Sequence, residues 1–334
     1  MKYSVRKISE MTGYSPATVS NALNNKKGVN SETSERIWRI AREIGYINAS
    51  KVNDIKFVMY KKDGQVVADT PFFAFLIDKI ESCCREAGYQ TIMYNINQTK
   101  DDYAHRLDEI LNGSSSAVLL LATELTSKDM VPFESVKCPL VVMDAWFGNM
   151  KFDTVLANNE DSVFGATTYL IEKGHKRIGY LAGNIRIQNF KQRGLGYKKA
   201  MLKHGLGINP SYEILLTPTM EGSHKDMFAY LSSSPELPTA FIADNDIIAL
   251  GAMKALRQHG YKIPHDISII GFDDMPFCEI SSPALTTIKF HQDEMGKIAV
   301  ERLVQKIKGS SIVTSKIQIG TSLVLRDSVR DLNA

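Results

Sequence analysis

Sequence motifs for several kinds of enzyme chemistry are missing from this chain of 334 residues. It contains no glycine-rich phosphate loop, no HExxH metal motif and no Gly-x-Ser-x-Gly nucleophile elbow. Its four cysteines show neither a disulfide framework nor the paired spacing of a zinc site (Cys83, Cys84, Cys138 and Cys278). We therefore expect a protein that is not an enzyme, that carries no cofactor or metal, and whose cysteines are reduced.

Long apolar runs are missing as well. No stretch is long enough to cross a membrane, and the polar residues between Met1 and Gly13 do not resemble a signal peptide. This absence argues against a secreted solute-binding protein and predicts a cytoplasmic one. With 44% hydrophobic and 23% charged residues, the chain has the composition of an ordinary globular protein with room for two or three domains.

The residues from Ser4 to Asn24 predict two short helices joined by a tight turn. Ser4 is placed to cap the first helix with its side-chain oxygen, and Gly13 to end it. Ser15 is placed to cap the second, whose first position is Pro16, where a missing N–H costs nothing. Each helix has an apolar face, formed by Val5, Ile8 and Met11 in the first and by Val19, Ala22 and Leu23 in the second. Helices this short are marginal alone, so they must pack on neighbours.

A third helix follows, with Asn30 as its cap and a core stripe at Ile37, Ile40, Ala41 and Ile44. Three short helices with a glycine turn between the first two describe a helix-turn-helix unit. A helical bundle that binds no nucleic acid is the alternative. Charge favours DNA binding, because residues 1–56 contain ten Lys or Arg and five Asp or Glu, a net charge of +5 in a chain whose net charge is +3.

Beyond Ile55, short apolar runs alternate with amphipathic stretches, a pattern typical of parallel strands covered by helices on both faces. The predicted strands are 55–60, 91–95, 117–121, 140–144, 178–182, 240–243 and 267–272, and the predicted helices are 72–87, 103–111, 161–173, 190–204 and 246–259. The predicted fold class is a small all-α head followed by an α/β core of two parallel-sheet subdomains. Such a core binds its ligand in the crevice at the carboxyl ends of the strands.

Two sets of residues resemble the lac/gal repressor family. In the head they are the run GYSPATVSNALN at 13–24, VNSET at 29–33 and IGY at 44–46. In the body they include GHKRIGYL at 174–181, ADND at 243–246 and GFDD at 271–274. The resemblance covers nearly the whole chain and implies a DNA-binding head followed by a core similar to periplasmic sugar-binding proteins.

The resemblance implies that the second helix lies in the major groove of double-stranded operator DNA. The residues it assigns to the DNA interface are Ser4, Ser15, Pro16, Ala17, Thr18, Ser20, Asn21, Asn24, Lys26, Lys27 and Thr33. Asn21 stands where the family usually has arginine, and asparagine pairs bidentately with adenine, so the operator should differ from the family's usual one. Lys26 and Lys27 could be solvated loop charges, but beside a recognition helix a phosphate contact is the better interpretation.

In the core, the resemblance implies a repressor controlled by a small polar effector, with a sugar or sugar derivative as the expected class. Arg193, Asn245 and Asp273 match effector-contacting positions, and Asp144 lies at a fourth. Taken singly, each of these residues is more readily explained as a helix cap or a structural ion pair, and it is their combination that favours a binding site. We assign Asp246 to a helix cap. Phe72 and Trp146 are candidate stacking faces for a ligand ring, whereas we expect Phe73 in the core.

The resemblance also implies a homodimer that reads a pseudo-palindromic operator and is regulated by movement of the two subdomains. We expect a DNA-binding domain at 1–47, a linker at 48–54 and a core at 55–334, with an N-subdomain of about 55–158 plus 289–319 and a C-subdomain of about 159–286 plus 321–334. The alternative function is a cytoplasmic small-molecule-binding or carbohydrate-handling protein without a regulatory role.

The linker departs from the family pattern. Only residues 47–54 separate Tyr46 from the first predicted strand, and the leucine that the family inserts into the minor groove is missing there. Val52 is the only nearby apolar candidate for that wedge. We therefore expect no minor-groove wedge and a smaller bend in the operator.

Overall fold

The computed structural model describes residues 4–23, 28–43, 52–62, 64, 66, 72–113, 115–136, 138–309 and 313–334. The head consists of three helices, α1 (Val5–Thr12), α2 (Pro16–Leu23) and α3 (Ser31–Glu43). They bury a small shared core of Ile8, Val19, Ala22, Ile37 and Ala41. The helix-turn-helix arrangement predicted from the sequence is therefore present.

Local chemistry sets the ends of these helices. The Ser15 Oγ accepts a hydrogen bond from the Thr18 N–H at 3.1 Å, and the Asn30 Oδ1 accepts one from the Thr33 N–H at 2.7 Å. Gly13 ends α1 at a φ of 77°, a conformation that glycine adopts without steric cost. The caps predicted at Ser15 and Asn30 and the glycine stop are confirmed.

Two predictions about α1 are wrong. Ser4 lies at the cap position, but its side chain makes no capping hydrogen bond, and its backbone carbonyl accepts from Lys7 and Ile8 instead. Met11 is 46% exposed, while Thr12 is buried and its hydroxyl donates to the Ile8 carbonyl at 2.7 Å. A threonine whose hydroxyl is hydrogen-bonded within its own helix can be buried. The spacing of apolar residues therefore did not identify which face of α1 packs on the other helices.

The core alternates strands and helices throughout. In chain order it contains β1 (Asp54–Lys61), α4 (Phe72–Glu86), β2 (Gln90–Asn97), α5 (Tyr103–Leu111), β3 (Ser116–Leu121), α6 (Ser127–Met130), β4 (Leu140–Met143) and β5 (Asp153–Ala157). It continues with α7 (Asn159–Glu172), β6 (Ile178–Gly183), α8 (Gln188–Lys203), β7 (Glu213–Leu216), α9 (Met220–Leu231), β8 (Ala240–Ala243), α10 (Asp246–Gln258), β9 (Ser268–Asp273), α11 (Pro276–Ile280), β10 (Thr286–Phe290), α12 (Gln292–Ile307), β11 (Lys316–Ile319) and β12 (Thr321–Val324).

These strands form two six-stranded sheets, one in each half of the core. The sheet of the N-terminal half has the order β2-β1-β3-β4-β5-β11 and its paired strands are parallel. The sheet of the C-terminal half has the order β7-β6-β8-β9-β10-β12, in which β12 is antiparallel to β10. Both halves are doubly wound, so the carboxyl ends of their central strands form the natural ligand crevice.

The chain passes between the halves three times, after β5, after β10 and after β11. The second passage was expected near residues 287–289, but β10 continues to Phe290, so the chain crosses after that residue. The sequence patterns did not predict α6, α9, α11, α12, β5, β7 or the last three strands, most of which are short. None of the helices in the described part of the chain is both long enough and apolar enough to cross a membrane.

Candidate functional site

Side chains from both halves meet around a cavity at the carboxyl ends of the strands. Asp144 follows β4, Asn245 follows β8, Asp273 ends β9 and Arg193 projects from α8. The cavity has a volume of about 30 Å³ and is lined by these four residues together with Val66, Phe73, Thr123, Ile187, Asn189, Phe190 and Phe290. Four of the six predicted effector residues therefore lie together.

Arg193 is the central cation of this cavity and is only 5% exposed. Its Nε donates to the Asn159 Oδ1 at 2.8 Å and its Nη1 to the Asp244 carbonyl at 2.6 Å. Its Nη2 lies 3.7 Å from the Asp273 Oδ1, and its guanidinium stacks 3.5 Å from the centre of the Phe272 ring. The fork of the guanidinium is thus held in one orientation, with one edge turned towards Asp273.

Asp144 is held from two directions. The Thr123 hydroxyl donates to its Oδ2 at 2.7 Å, and the Asn189 Nδ2 donates to its Oδ1 at 2.8 Å. Asn189 in turn accepts from the Asn159 Nδ2 at 3.1 Å. Asn159 thereby connects Arg193 to Asp144, so the polar groups of the two halves form one hydrogen-bonded network.

Backbone strain coincides with this network. Asp144 has a φ of 58° and Asp273 a φ of 119°, a region that non-glycine residues rarely adopt. Each such residue costs about 1–3 kcal/mol and persists only where its surroundings enforce it. Both residues line the cavity, so the strained conformations occur at the candidate site.

Burial controls the protonation of these acids. It raises the pKa of Asp273 to about 8, with Arg193 acting in the opposite direction and Asp246 and Asp144 adding to the increase. Burial likewise raises the pKa of Asp144, opposed by its hydrogen bonds and by Arg193. A carboxyl group that holds its proton near neutral pH can donate a hydrogen bond as well as accept one.

The roles predicted for Asn245 and Asp246 are partly reversed. Asn245 is the residue that caps α10, because its Oδ1 accepts from the Ile248 N–H at 3.0 Å, although it also lines the cavity. Asp246 is fully buried and binds elsewhere, accepting from the Thr287 hydroxyl at 2.5 Å and from the Met275 N–H at 2.9 Å. The assignment of Asp246 to a helix cap is wrong.

The aromatic residues considered as ligand contacts lie in different parts of the structure. Trp146 lines a different, larger cavity of about 320 Å³ with Asn158, Asn159, Gln192 and Gln318, and the Lys316 Nζ lies 4.9 Å from its ring. Phe73 is buried in the core as expected, yet it also lines the small cavity. Phe72 begins α4, but its side chain lies outside the described part of the structure.

Several cavity residues were not found from the sequence. Asn189 lies four residues before Arg193, a spacing that places both on one face of a helix, and this signal was available. Thr123 and Phe290 follow or end strands that carry no distinctive motif. Val66 comes from the segment after β1, where no periodic pattern predicts structure. No group of three or more potential metal ligands occurs among the residues that the structure describes.

The head presents the predicted recognition helix to solvent. Ser15, Pro16 and Ala17 are exposed, and Asn21 is partly exposed, while Val19 and Ala22 are buried. Thr18, Ser20 and Thr33 are also partly exposed, and Ser4 is exposed. The Thr18 hydroxyl lies 2.9 Å from the Ser15 Oγ, so it belongs to the helix cap. Asn24, Lys26 and Lys27 lie outside the described residues.

Sequence comparisons agree with this architecture. Residues 5–48 match the family described as bacterial regulatory proteins, lacI family. Residues 167–329 match a periplasmic binding protein-like domain. These two matches coincide with the head and with much of the core.

Relatives match over nearly the whole chain. The ribose operon repressor of Haemophilus influenzae is 31% identical over 98% of this chain and 99% of its own length. The transcriptional repressor PurR of Pasteurella multocida is 32% identical over 98% of both chains. Among solved structures, the regulator CelR in complex with cellobiose is 25% identical, with a TM-score of 0.74 over 98% of this chain and 99% of that one.

The chain belongs to the lacI family of bacterial regulatory proteins. It is a DNA-binding transcriptional repressor that responds to a small molecule, and its relatives are repressors rather than enzymes. The lac repressor dimer bound to operator is a further solved structure with the same fold as this chain. It is 22% identical, with a TM-score of 0.73 over 99% of this chain and 100% of that one.

Proposed function

We propose that the repressor is controlled by a small, hydroxyl-rich, sugar-like effector bound between the two halves of its core. The observation that carries this proposal is the meeting of Asp144, Arg193, Asn245 and Asp273 around one buried cavity. Carboxyl, amide and guanidinium groups can each form paired hydrogen bonds with neighbouring hydroxyls of a sugar. The rings of Phe73, Phe190 and Phe290 supply apolar walls for the C–H faces of such a ring.

Charge favours a neutral ligand over an anion. Arg193 is the cation among the residues that line the cavity in the described structure, and its N–H groups already bind Asn159 and the Asp244 carbonyl. Two carboxyl groups, Asp144 and Asp273, line the same cavity. The relatives are consistent with a sugar, since one is a ribose operon repressor and another was solved with cellobiose.

Binding requires the halves to separate. A cavity of about 30 Å³ holds roughly one water molecule, whereas ligand pockets usually measure about 300–1,000 Å³. A ligand that fits only the separated arrangement shifts the population towards it. In this proposal that shift changes the positions of the heads and hence the affinity for operator DNA.

The proposed regulator is a homodimer. β2 is an edge strand of its sheet, and an exposed edge normally pairs or is covered. On and beside it, Ile92, Met93 and Phe75 are 41%, 42% and 54% exposed. Apolar side chains on an open sheet edge support an interface with a second copy, which would pair two heads with two operator half-sites.

The proposed domains are a DNA-binding head at 1–47, a linker at 48–54 and a core at 55–334. The sheets support an N-subdomain that ends near residue 158 and resumes in α12 and β11. They also support a C-subdomain that begins with α7, extends through β10 to residue 290 and resumes with β12. The proposed location is the cytoplasm, where a repressor meets its operator.

A thermal-shift panel of neutral sugars, sugar phosphates and nucleobases tests the effector class. A ligand of the native state raises the midpoint of unfolding by mass action, so we expect a shift with at least one neutral sugar. The shift should be lost in Asp273→Asn and retained in the matched surface variant Asp327→Asn, since Asp327 is exposed. A shift that is equal in both variants places the ligand elsewhere and contradicts the proposed site.

A further inference from the structure

Three residues that line the small cavity come from one short stretch of the chain. Ile187 ends the loop after β6, and Asn189 and Phe190 lie in the first turn of α8. We call residues 184–187 the entry loop. Ile187 is the N-cap residue of α8, and an isoleucine side chain cannot cap the free N–H groups of a helix. The first turn of α8 is therefore held by contacts other than a local cap.

Arg186 connects the two ends of the entry loop. Its Nη1 lies 3.4 Å from the Gly183 carbonyl oxygen before the loop, and its Nη2 donates to the Phe190 carbonyl after the loop at 2.7 Å. Its Nη1 also forms an ion pair with the Oδ2 of Asp244, which follows β8. Because a guanidinium group is planar and its donors are fixed relative to one another, these acceptors define where the first turn of α8 lies relative to β8.

Asp244 is the buried partner in this ion pair. It is 0% exposed, its Oδ1 accepts from the Tyr180 hydroxyl at 2.5 Å, and its Oδ2 accepts from the Gly183 N–H at 2.7 Å. Burial raises the pKa of Asp244 to about 6, and Arg186 acts in the opposite direction, so Arg186 favours the ionised carboxylate. The Asp244 backbone carbonyl accepts from the Arg193 Nη1 at 2.6 Å. Asp244 thus anchors both the entry loop and the central cation of the cavity.

Asn189 extends this arrangement across the cleft. Its Nδ2 donates to the Asp144 Oδ1 at 2.8 Å and to the Asp144 backbone carbonyl at 3.1 Å. Asp144 belongs to the N-terminal half of the core, whereas Asn189 and Arg186 belong to the C-terminal half. Because a hydrogen bond of this kind requires a donor–acceptor distance of about 2.7–3.2 Å, both bonds depend on where the first turn of α8 lies.

We propose that Arg186 is a positioning residue of the cleft. Paired with Asp244, it sets the place of the first turn of α8, and that turn aligns Asn189 with Asp144. Arg186 is not among the described residues that line the cavity, so it acts through other side chains and not on a ligand. Its effect on a bound effector rests on the proposed function, whereas the alignment of Asn189 with Asp144 does not.

The shape of the Arg186 side chain matters as well as its charge. In Arg186→Lys a single ammonium group replaces the guanidinium fork, and it cannot reproduce the contacts with both Asp244 and the Phe190 carbonyl. In Arg186→Ala both contacts are lost. We therefore expect the alignment of Asn189 to be lost in Arg186→Ala and weakened in Arg186→Lys.

The side-chain amide of Asn189 reports this alignment. The full-length protein is labelled with isotope-enriched asparagine, and its side-chain N–H signals are recorded by NMR without effector or DNA. The Asn189 signal is identified by its absence in Asn189→Ala. Its hydrogen bonds to Asp144 separate this signal from those of solvent-exposed asparagines. We expect it to move to the position of an exposed asparagine in Arg186→Ala, and part of the way in Arg186→Lys.

Arg177→Ala is the matched control, because Arg177 forms an exposed ion pair with Glu236 in the same half, and the Asn189 signal should stay as in wild type. If Arg186→Ala does not fold, Arg186→Lys decides alone. An unchanged Asn189 signal in the folded variant overturns the proposal, even where its unfolding midpoint falls, because lost stability alone indicates ordinary packing. An equal shift in Arg177→Ala also overturns it. Since no ligand is added, either result stands whether or not a sugar binds in the cleft.

Discussion

The head and the cleft place polar residues in opposite environments. On the head, Ser15, Pro16 and Ala17 are exposed on a short helix whose position depends on five buried residues. In the cleft, Arg193, Asp144 and Asn245 are 5–7% exposed. Arg193 and Asp144 are connected through Asn159 and Asn189, and Asn245 caps α10. Ala17 can change without disturbing the fold, whereas Ser15 also caps α2 and the cleft side chains support both the fold and the site.

The largest effect we expect is on the stability of Arg193→Ala. Removing this guanidinium leaves the Asn159 Oδ1 and the Asp244 carbonyl without their donors and Asp273 without its cation. Leaving a buried acceptor without its donor costs about 1–3 kcal/mol, and two are left here, so we expect a loss of a few kcal/mol that urea unfolding measures.

Arg177→Ala provides the matched control. Arg177 is 54% exposed and pairs with Glu236 at 2.7 Å, so we expect a loss of about 0–1 kcal/mol. Similar losses in the two variants would show that the buried network contributes nothing beyond a surface ion pair.

The second effect is the pH dependence that Asp273 imparts. Its pKa in the folded protein, about 8, lies above its ordinary value of 3.8, so the folded state binds more protons between these values. Stability therefore falls as the pH rises from about 4 towards about 8, by about 1.4 kcal/mol for each pKa unit of difference. Arg193, Asp144 and Asp246 are the charged groups that act on Asp273.

The measurement is the free energy of unfolding of wild type and Asp273→Asn from pH 5 to 9. The variant should gain relative to wild type as the pH rises, because an amide does not lose a proton. Titrating groups that do not interact with Asp273 cancel in the difference, so what remains comes from Asp273 and from its neighbours Asp144 and Asp246. A difference that does not vary with pH would mean that Asp273 is ionised throughout.

On the head, Asn21→Ala should weaken operator binding without affecting folding. Asn21 is partly exposed on α2, opposite the buried Val19 and Ala22, so no core contact is lost. We expect a loss of about 1–3 kcal/mol at one operator position and relaxed specificity there, measured by selection from random DNA. If the mutant selects an unchanged operator, Asn21 only positions the helix.

The smallest effect concerns the linker. Val52 packs against the main buried cluster of the core in this structure, so a role as a minor-groove wedge would require it to leave that contact. We expect Val52→Ala to leave the bend of the operator unchanged in a circular-permutation assay. A strong bend in wild type that disappears in the variant would show that the wedge exists.

The same contrast explains what the sequence could predict. Caps and turns at Gly13, Ser15 and Asn30 depend on neighbours within a few residues, and all three are confirmed. The distinction between Asn245 and Asp246 depends on Thr287 and Met275, far along the chain, and either residue type can cap a helix.

The cavity was predictable in part. Parallel strands bring their carboxyl ends to one edge, and this rule, together with the family resemblance, placed Asp144 and Asp273 beside Arg193. The contribution of Val66 could not be predicted, because it arises from three backbone hydrogen bonds to a glutamate about sixty residues away. Trp146 belongs to the loop after β4 and lines a separate cavity.

The central claim is that occupation of the cleft controls the head. It is tested by measuring operator affinity of the full-length chain by fluorescence anisotropy, with and without a sugar that raises its unfolding midpoint. We expect that sugar to change the affinity by about 5–150-fold in wild type and in Asp327→Asn, and not in Asp273→Asn. A sugar that binds in the cleft and leaves operator affinity unchanged would contradict the account.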